Sequence, residues 1–134
     1  MGDMITVGLT SSITHRFSAD DVATYAGLSG DRNPVHLDES AAKRIGFQGR
    51  LVHGMLAAGL ISRLLGTKLP GPGTIYLSQE LRFLKPIYVG DELVAEVEIT
   101  GRRADKPIFE IATRIRSSGE VAVDGRAVVQ LRPI

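Results

Sequence analysis

An aspartate and a histidine five positions apart, Asp31 and His36 in the stretch SGDRNPVHLDESAA (29–42), are the residues of this chain best suited to proton transfer. Imidazole changes charge near neutral pH, and burial raises a carboxylate toward the same range. Between them stands Asn33-Pro34. A proline pushes the residue before it out of the helical region, so the chain turns there and both side chains can point at one water. Asn33 and Pro34 are given that structural part only, and Asp38 reads as a helix N-cap. A few residues later GRLVHGMLAAGLISRLLG (49–66) turns almost wholly apolar, with His53 and Gly54 at its start. A helix beginning at Gly54 presents backbone N–H groups and a positive dipole end to a developing oxyanion. Glycine, lacking a side chain, lets such an oxygen come close to the backbone. His53 is read as an N-terminal helix residue making local hydrogen bonds, with no catalytic part. A base, an acid and oxyanion donors are what the addition of water to a carbonyl-activated double bond requires.

Composition narrows the alternatives. The 134 residues carry a net charge of +1, no Trp and no Cys. A basic face and stacking platforms are therefore missing, and nucleic acid is not an expected partner. Disulfides, thiolate metal sites and a cysteine nucleophile are excluded, and no metal site is expected. The start, MGDMITVGLTSS, lacks the basic and apolar regions of a signal peptide; its Met1-Gly2 matches only the beginning of a myristoylation signal and is taken as chance. The apolar segment Leu51 to Leu65 is too short to span a bilayer and contains His53 and Arg63. A soluble, cytoplasmic chain forming one domain over 1–134, with no membrane partner, is expected.

The elements that must position these residues follow from periodicity. ITHRF (13–17) reads as a short strand. Ser18 and Asp21 form a capping-box pattern ahead of a helix through Tyr25 and Ala26. DRNPVHL (31–37) reads as a loop, and DESAAKRIGF (38–47) as a short helix from Asp38 to Gly46. From Met55 to Leu65 every side of the wheel is apolar or small, which predicts a helix buried all round. Beyond it the period changes to two. Ile75, Leu77, Leu81 and Phe83 are predicted to share a face, as are Leu93, Ala95, Val97 and Ile99. Two further alternating segments, IFEIATRIR (108–116) and VAVDGRAVVQLRP (121–133), complete an expected antiparallel meander. A curved sheet wrapped on one buried helix is an α+β, hotdog-type arrangement.

The strings YAGLSGDRNPVHLDESAA (25–42), GRLVHGM (49–55) and PGPGTIYLSQELRFLKPIYVGDELVAEVEI (70–99) resemble the MaoC-like hydratases and dehydratases, above all the (R)-specific enoyl-CoA hydratases. The likeness covers essentially the whole chain, and a D-x-N-P-x-H element joined to a separate H-G-M is a specific signal. It implies a homodimeric hotdog protein that adds water reversibly to a trans-2-enoyl thioester, giving the (R)-3-hydroxyacyl thioester. It implies that Asp31 and His36 are catalytic, with no cofactor, coenzyme A being part of the acyl-CoA substrate. Gly54 is expected at the thioester carbonyl. Met55, Ser62 and Leu65 are expected along the acyl pocket, Ser62 lying about 12 Å beyond Gly54 at 1.5 Å per residue. Read from the helix alone, Ser62 is expected to bond the carbonyl four residues back, Ala58; contact near the acyl site is what the resemblance adds. The alternatives are a dehydratase acting on an acyl carrier protein, a hotdog thioesterase, and a non-catalytic acyl-binding protein.

Overall fold

The structure, a computed structural model, describes residues 4–134; Met1 and Gly2, with their partial lipidation match, lie outside the described residues. The element order is β1 (Thr10–His15), α1 (Ala19–Ser29), α2 (Pro34–Leu37), α3 (Glu39–Arg44), α4 (Gly54–Thr67), β2 (Thr74–Phe83), β3 (Leu93–Arg102), β4 (Ile108–Ser117) and β5 (Glu120–Leu131). The antiparallel sheet runs β1-β3-β4-β5-β2, and α4 packs on its inner face against β1, β2, β3 and β4. This is the hotdog arrangement. Leu93, Ala95, Val97 and Ile99 of β3 and Phe109, Ile111 and Ile115 of β4 are fully buried against Leu60, Ile61, Leu64 and Leu65 of the helix.

Local signals act as expected at the helix starts. The Ser18 hydroxyl accepts from the Asp21 N–H at 3.1 Å while the Asp21 carboxylate accepts from the Ser18 N–H at 2.9 Å. Asp38 caps α3 by accepting from the Ala41 N–H. Residues 34–37 are a one-turn helix rather than loop: the Asn33 side chain caps it through the Val35 N–H, and proline at the first helical position has no N–H to waste.

Three further expectations are corrected. The strands are not a simple meander, because β2 pairs with β5 at the far edge instead of with β3. The segment between β2 and β3 runs beside residues 50–52, with Val52 N–H to Ile87 O at 2.7 Å, Val89 N–H to Arg50 O at 3.1 Å and a Leu51–Tyr88 bridge. Next, a bulge at Leu77 shifts the register of β2, so Ile75 pairs with Gln130 while Leu81 and Phe83 pair with Gly125 and Val123. One extra residue reverses alternation, which puts Ile75 on the opposite face from Leu81 and Phe83. Finally, α4 is not buried all round. Met55, Gly59, Ser62 and Arg63 form an exposed stripe, because the sheet curls around only one side of the helix.

Candidate active site

The polar residues of the site are held by the segment 50–53, which leads into α4. Leu51 N–H donates to Val35 O at 3.0 Å, and Arg50 Nε donates to His36 O at 2.8 Å. His36 Nδ1 lies 2.7 Å from Leu51 O. A carbonyl only accepts, so Nδ1 carries the proton and Nε2 keeps its lone pair. Burial pulls the His36 imidazole below its ordinary 6.5; the hydrogen bond to Leu51 and the nearby Asp31 oppose that shift, and His53 adds to it. At neutral pH this residue is therefore an uncharged acceptor at Nε2.

Asp31 follows Gly30, whose φ of 80° ends α1 in the left-handed region where glycine is favoured. Its side chain is exposed, and one carboxylate oxygen accepts from the Asn33 N–H at 3.3 Å, fixing the turn that carries Pro34 to α2. One carboxylate oxygen of Asp31, one nitrogen of His36 and one of His53 lie within 4.8 Å of one another. Two acceptors sharing one water through bonds of about 2.8 Å stand roughly 4.5 Å apart, so this spacing suits a bridged water. The same three donors meet the count for a metal ion. The rings of His36 and His53, however, are stacked at 3.7 Å and 23°, so their in-plane lone pairs run side by side rather than toward one point.

The local hydrogen bonds expected of His53 are not the ones it makes. It is 2 % exposed, donates from Nε2 to Asp31 O at 2.9 Å, and meets the Tyr25 ring edge-on at 4.8 Å. The signal was available: a histidine stands at the N-cap of the most apolar helix, where a short hydroxyl or carboxamide side chain is the common choice.

These groups open on a cavity of about 560 Å³ whose apolar wall includes Phe47, Val52, Met55, Phe83, Leu84 and Ile87. Asp31, His36, Gly54 and Met55 line it. Ser62 and Leu65 do not: Ser62 lies on the exposed stripe of α4, and Leu65, 1 % exposed, packs in the core. The N-cap residue His53 makes no side-chain capping bond, so among the described residues no side chain caps the first turn of α4. Gly54 packs closely under the Phe83 ring: a Cβ on it would sit 2.7 Å from Phe83 Cε1, so any side chain there would displace that ring.

An uncharged imidazole, a carboxylate, uncapped helix N–H groups and an apolar chamber together can hold a water against an alkene conjugated to a carbonyl. The family model described as MaoC like domain matches residues 5–120. The chain is 52 % identical to an (R)-specific enoyl-CoA hydratase of Aeromonas caviae, the match covering 93 % of this chain and 94 % of that protein. It is 38 % identical to a mitochondrial 3-hydroxyacyl-[acyl-carrier-protein] dehydratase of Solanum lycopersicum, over 96 % of this chain and 79 % of that one. Among solved structures it superposes on an (R)-hydratase from A. caviae involved in PHA biosynthesis with a TM-score of 0.93 and 50 % identity, covering 96 % of this chain and 98 % of the other.

Proposed function

The chain belongs to the MaoC-like family, and from that premise we propose that it is an (R)-specific enoyl-CoA hydratase. It adds water reversibly to trans-2-enoyl-CoA and yields (R)-3-hydroxyacyl-CoA, as hydro-lyases of this kind do. The observation that carries this reading is the meeting of Asp31 and His36 at the mouth of an apolar cavity beside the uncapped start of α4.

In the proposed mechanism the thioester oxygen accepts from N–H groups at Gly54 and Met55, where the helix dipole favours the developing enolate. One water donates one hydrogen to the Asp31 carboxylate and the other to His36 Nε2, which leaves an oxygen lone pair for the β-carbon. As the C–O bond forms, the alkene π pair moves into the enolate and the water gives up a proton, with Asp31 as principal base and His36 as partner. The pair returns that proton to the α-carbon as the enolate collapses. The steps draw on acid–base groups alone, so no metal or redox cofactor is assigned, and coenzyme A enters with the substrate.

The acyl chain is assigned to Met55 and Phe83. Ser62 would meet it only where a second copy extends the channel along α4, and Leu65 would act from the core through packing. A homodimer is proposed on the state of β2. This edge strand leaves Ile75, Tyr76 and Leu77 at 40–51 % exposure near its start and carries the cavity residue Phe83, 52 % exposed, at its end. Unpaired apolar edges are ordinarily covered, and two-fold pairing would also roof the cavity. Among the described residues no helix is long and apolar enough to cross a membrane; a cytoplasmic site of action is proposed, with the product entering polyhydroxyalkanoate formation.

The test is loss of enoyl absorbance with purified protein and crotonyl-CoA, with chiral analysis of the product. The reading expects the (R) enantiomer, and an (S) product or no turnover overturns it. The likeness to the carrier-protein dehydratase supports a second reading, the same chemistry on a carrier-bound acyl chain. Faster turnover of enoyl-carrier than of enoyl-CoA substrates would favour it.

A further inference from the structure

His53 pays for its place in two ways. It is the N-cap residue of α4 yet makes no side-chain capping bond, and its Nδ1 is buried with no hydrogen-bond partner among the described residues. Buried polar atoms are almost always satisfied, and departures from local rules concentrate at functional sites. What His53 does instead is touch both proton-transfer residues at once. Its Nε2–H reaches the Asp31 carbonyl at 2.9 Å, across 22 positions of chain, and its ring lies on that of His36 at 3.7 Å, with Tyr25 edge-on behind it. Its own backbone carbonyl accepts from the Ala57 N–H, the first bond of α4.

We propose that His53 is a positioning residue that locks the Asp31 loop, the His36 ring and the start of α4 into one rigid unit. The Asp31 loop is otherwise exposed, and its other hydrogen bonds among the described residues are local ones: Asp31 N–H to Ser29 Oγ, Asn33 N–H to the Asp31 carboxylate, and the Val35 and His36 N–H groups to Asn33. Without the His53 bond the carboxylate is free to shift relative to His36 Nε2, and a water shared between them is no longer held at both ends. The stack adds a second restraint: His36, tied at Nδ1 to Leu51 O, is kept from tilting by the flat face beneath it. The tether to Asp31 is the larger contribution, because it joins a loop to the helix, whereas the His36 ring is already bonded at one edge.

The proposal rests on the hydratase reading, and its test separates the two. His53→Gln keeps an N–H donor for the Asp31 carbonyl but loses the ring, and His53→Phe keeps a ring but loses the donor. With crotonyl-CoA, the Phe variant is expected to lose kcat by about 10²-fold, the usual effect of a displacement near 1 Å. KM should stay within about threefold, and the Gln variant should recover about tenfold of the loss. A folded Phe variant with wild-type kcat, or a Gln variant no better than Phe, overturns the proposal. Nitrogen-15 NMR of the unmodified protein supplies a measurement that depends on neither folding of a variant nor activity. A protonated Nε2 on His53 is expected, and a proton resident on Nδ1 alone overturns the tether. If the unmodified protein turns over no enoyl-CoA while the Nε2–H is found, the functional reading has failed and the geometry has not.

Discussion

Replacing Gly54 with alanine places a methyl carbon 2.7 Å from Cε1 and 2.9 Å from Cδ1 of Phe83. Carbon atoms settle at about 3.5–4.0 Å, so the ring has to retreat by about 1 Å. It is able to do so, because Phe83 is 52 % exposed and closes the cavity from the edge strand. The helix itself gains from the change, alanine being preferred to glycine in a helix interior by about 1 kcal/mol, less at the first position. The fold should therefore survive, and the damage should fall on the site, where the methyl group and the displaced ring crowd the path to the α4 N–H groups. A misplacement of about 1 Å costs about 10² in rate, so kcat on crotonyl-CoA should fall by that factor, or about 2.7 kcal/mol of transition-state stabilisation. The double variant Gly54→Ala, Phe83→Leu removes the ring edge and should recover about tenfold of that loss. Steady-state hydration together with thermal melts decides the matter. Wild-type kcat in folded Gly54→Ala would refute the placement of the thioester oxygen at this helix end.

The pH profile follows from His36. Its imidazole is held below 6.5 chiefly by burial, and water binding requires Nε2 unprotonated, so the acid limb of kcat/KM should have its midpoint below 6.5. Stability has the same direction: the unfolded chain binds this proton first, so the His36 contribution is complete above 6.5 and diminishes as pH falls toward the folded value, as urea melts across that window would record. Leu65→Ala empties a core position that is 1 % exposed and should cost about 2–5 kcal/mol in urea unfolding. Met55→Ala, at a position 61 % exposed on the cavity wall, should change stability by less than about 0.5 kcal/mol while raising activity on longer enoyl chains relative to crotonyl-CoA. Sedimentation at low micromolar concentration should find a dimer, and introducing lysine at Leu77 on the β2 edge should release inactive monomer; an active wild-type monomer would count against the roofed cavity.

Much of the fold was legible because it is written locally. The Ser18–Asp21 box, the Asp38 cap and the alternation of β3 and β4 each need only a few neighbouring residues, and each reappears in the structure. Pairing partners are not written that way. Nothing in the period of β2 distinguishes β3 from β5 as its neighbour, and a single extra residue at Leu77 reverses which face Ile75 presents. The exposed stripe of α4 was misread for a related reason: hydrophobicity marks a surface to be covered, without saying whether the same chain covers it. Asp31 and His36 could be found by motif, since both lie on one short turn. The tether that His53 makes could not be read that way, because it is a contact across 22 positions that exists only once the 50–53 segment has docked beside α2.

The most direct test of the account is the hydration of crotonyl-CoA by Asp31→Asn, a change that preserves size and shape while removing the carboxylate that receives the proton of water. The side chain is exposed and, among the described residues, accepts only the Asn33 N–H, a bond that the asparagine oxygen can also make, so the melting temperature should be unchanged. The account predicts a kcat lower by about 10²–10⁴ with KM little altered, the span expected for loss of a positioned acid or base. A folded variant that hydrates crotonyl-CoA at close to the wild-type rate would contradict it.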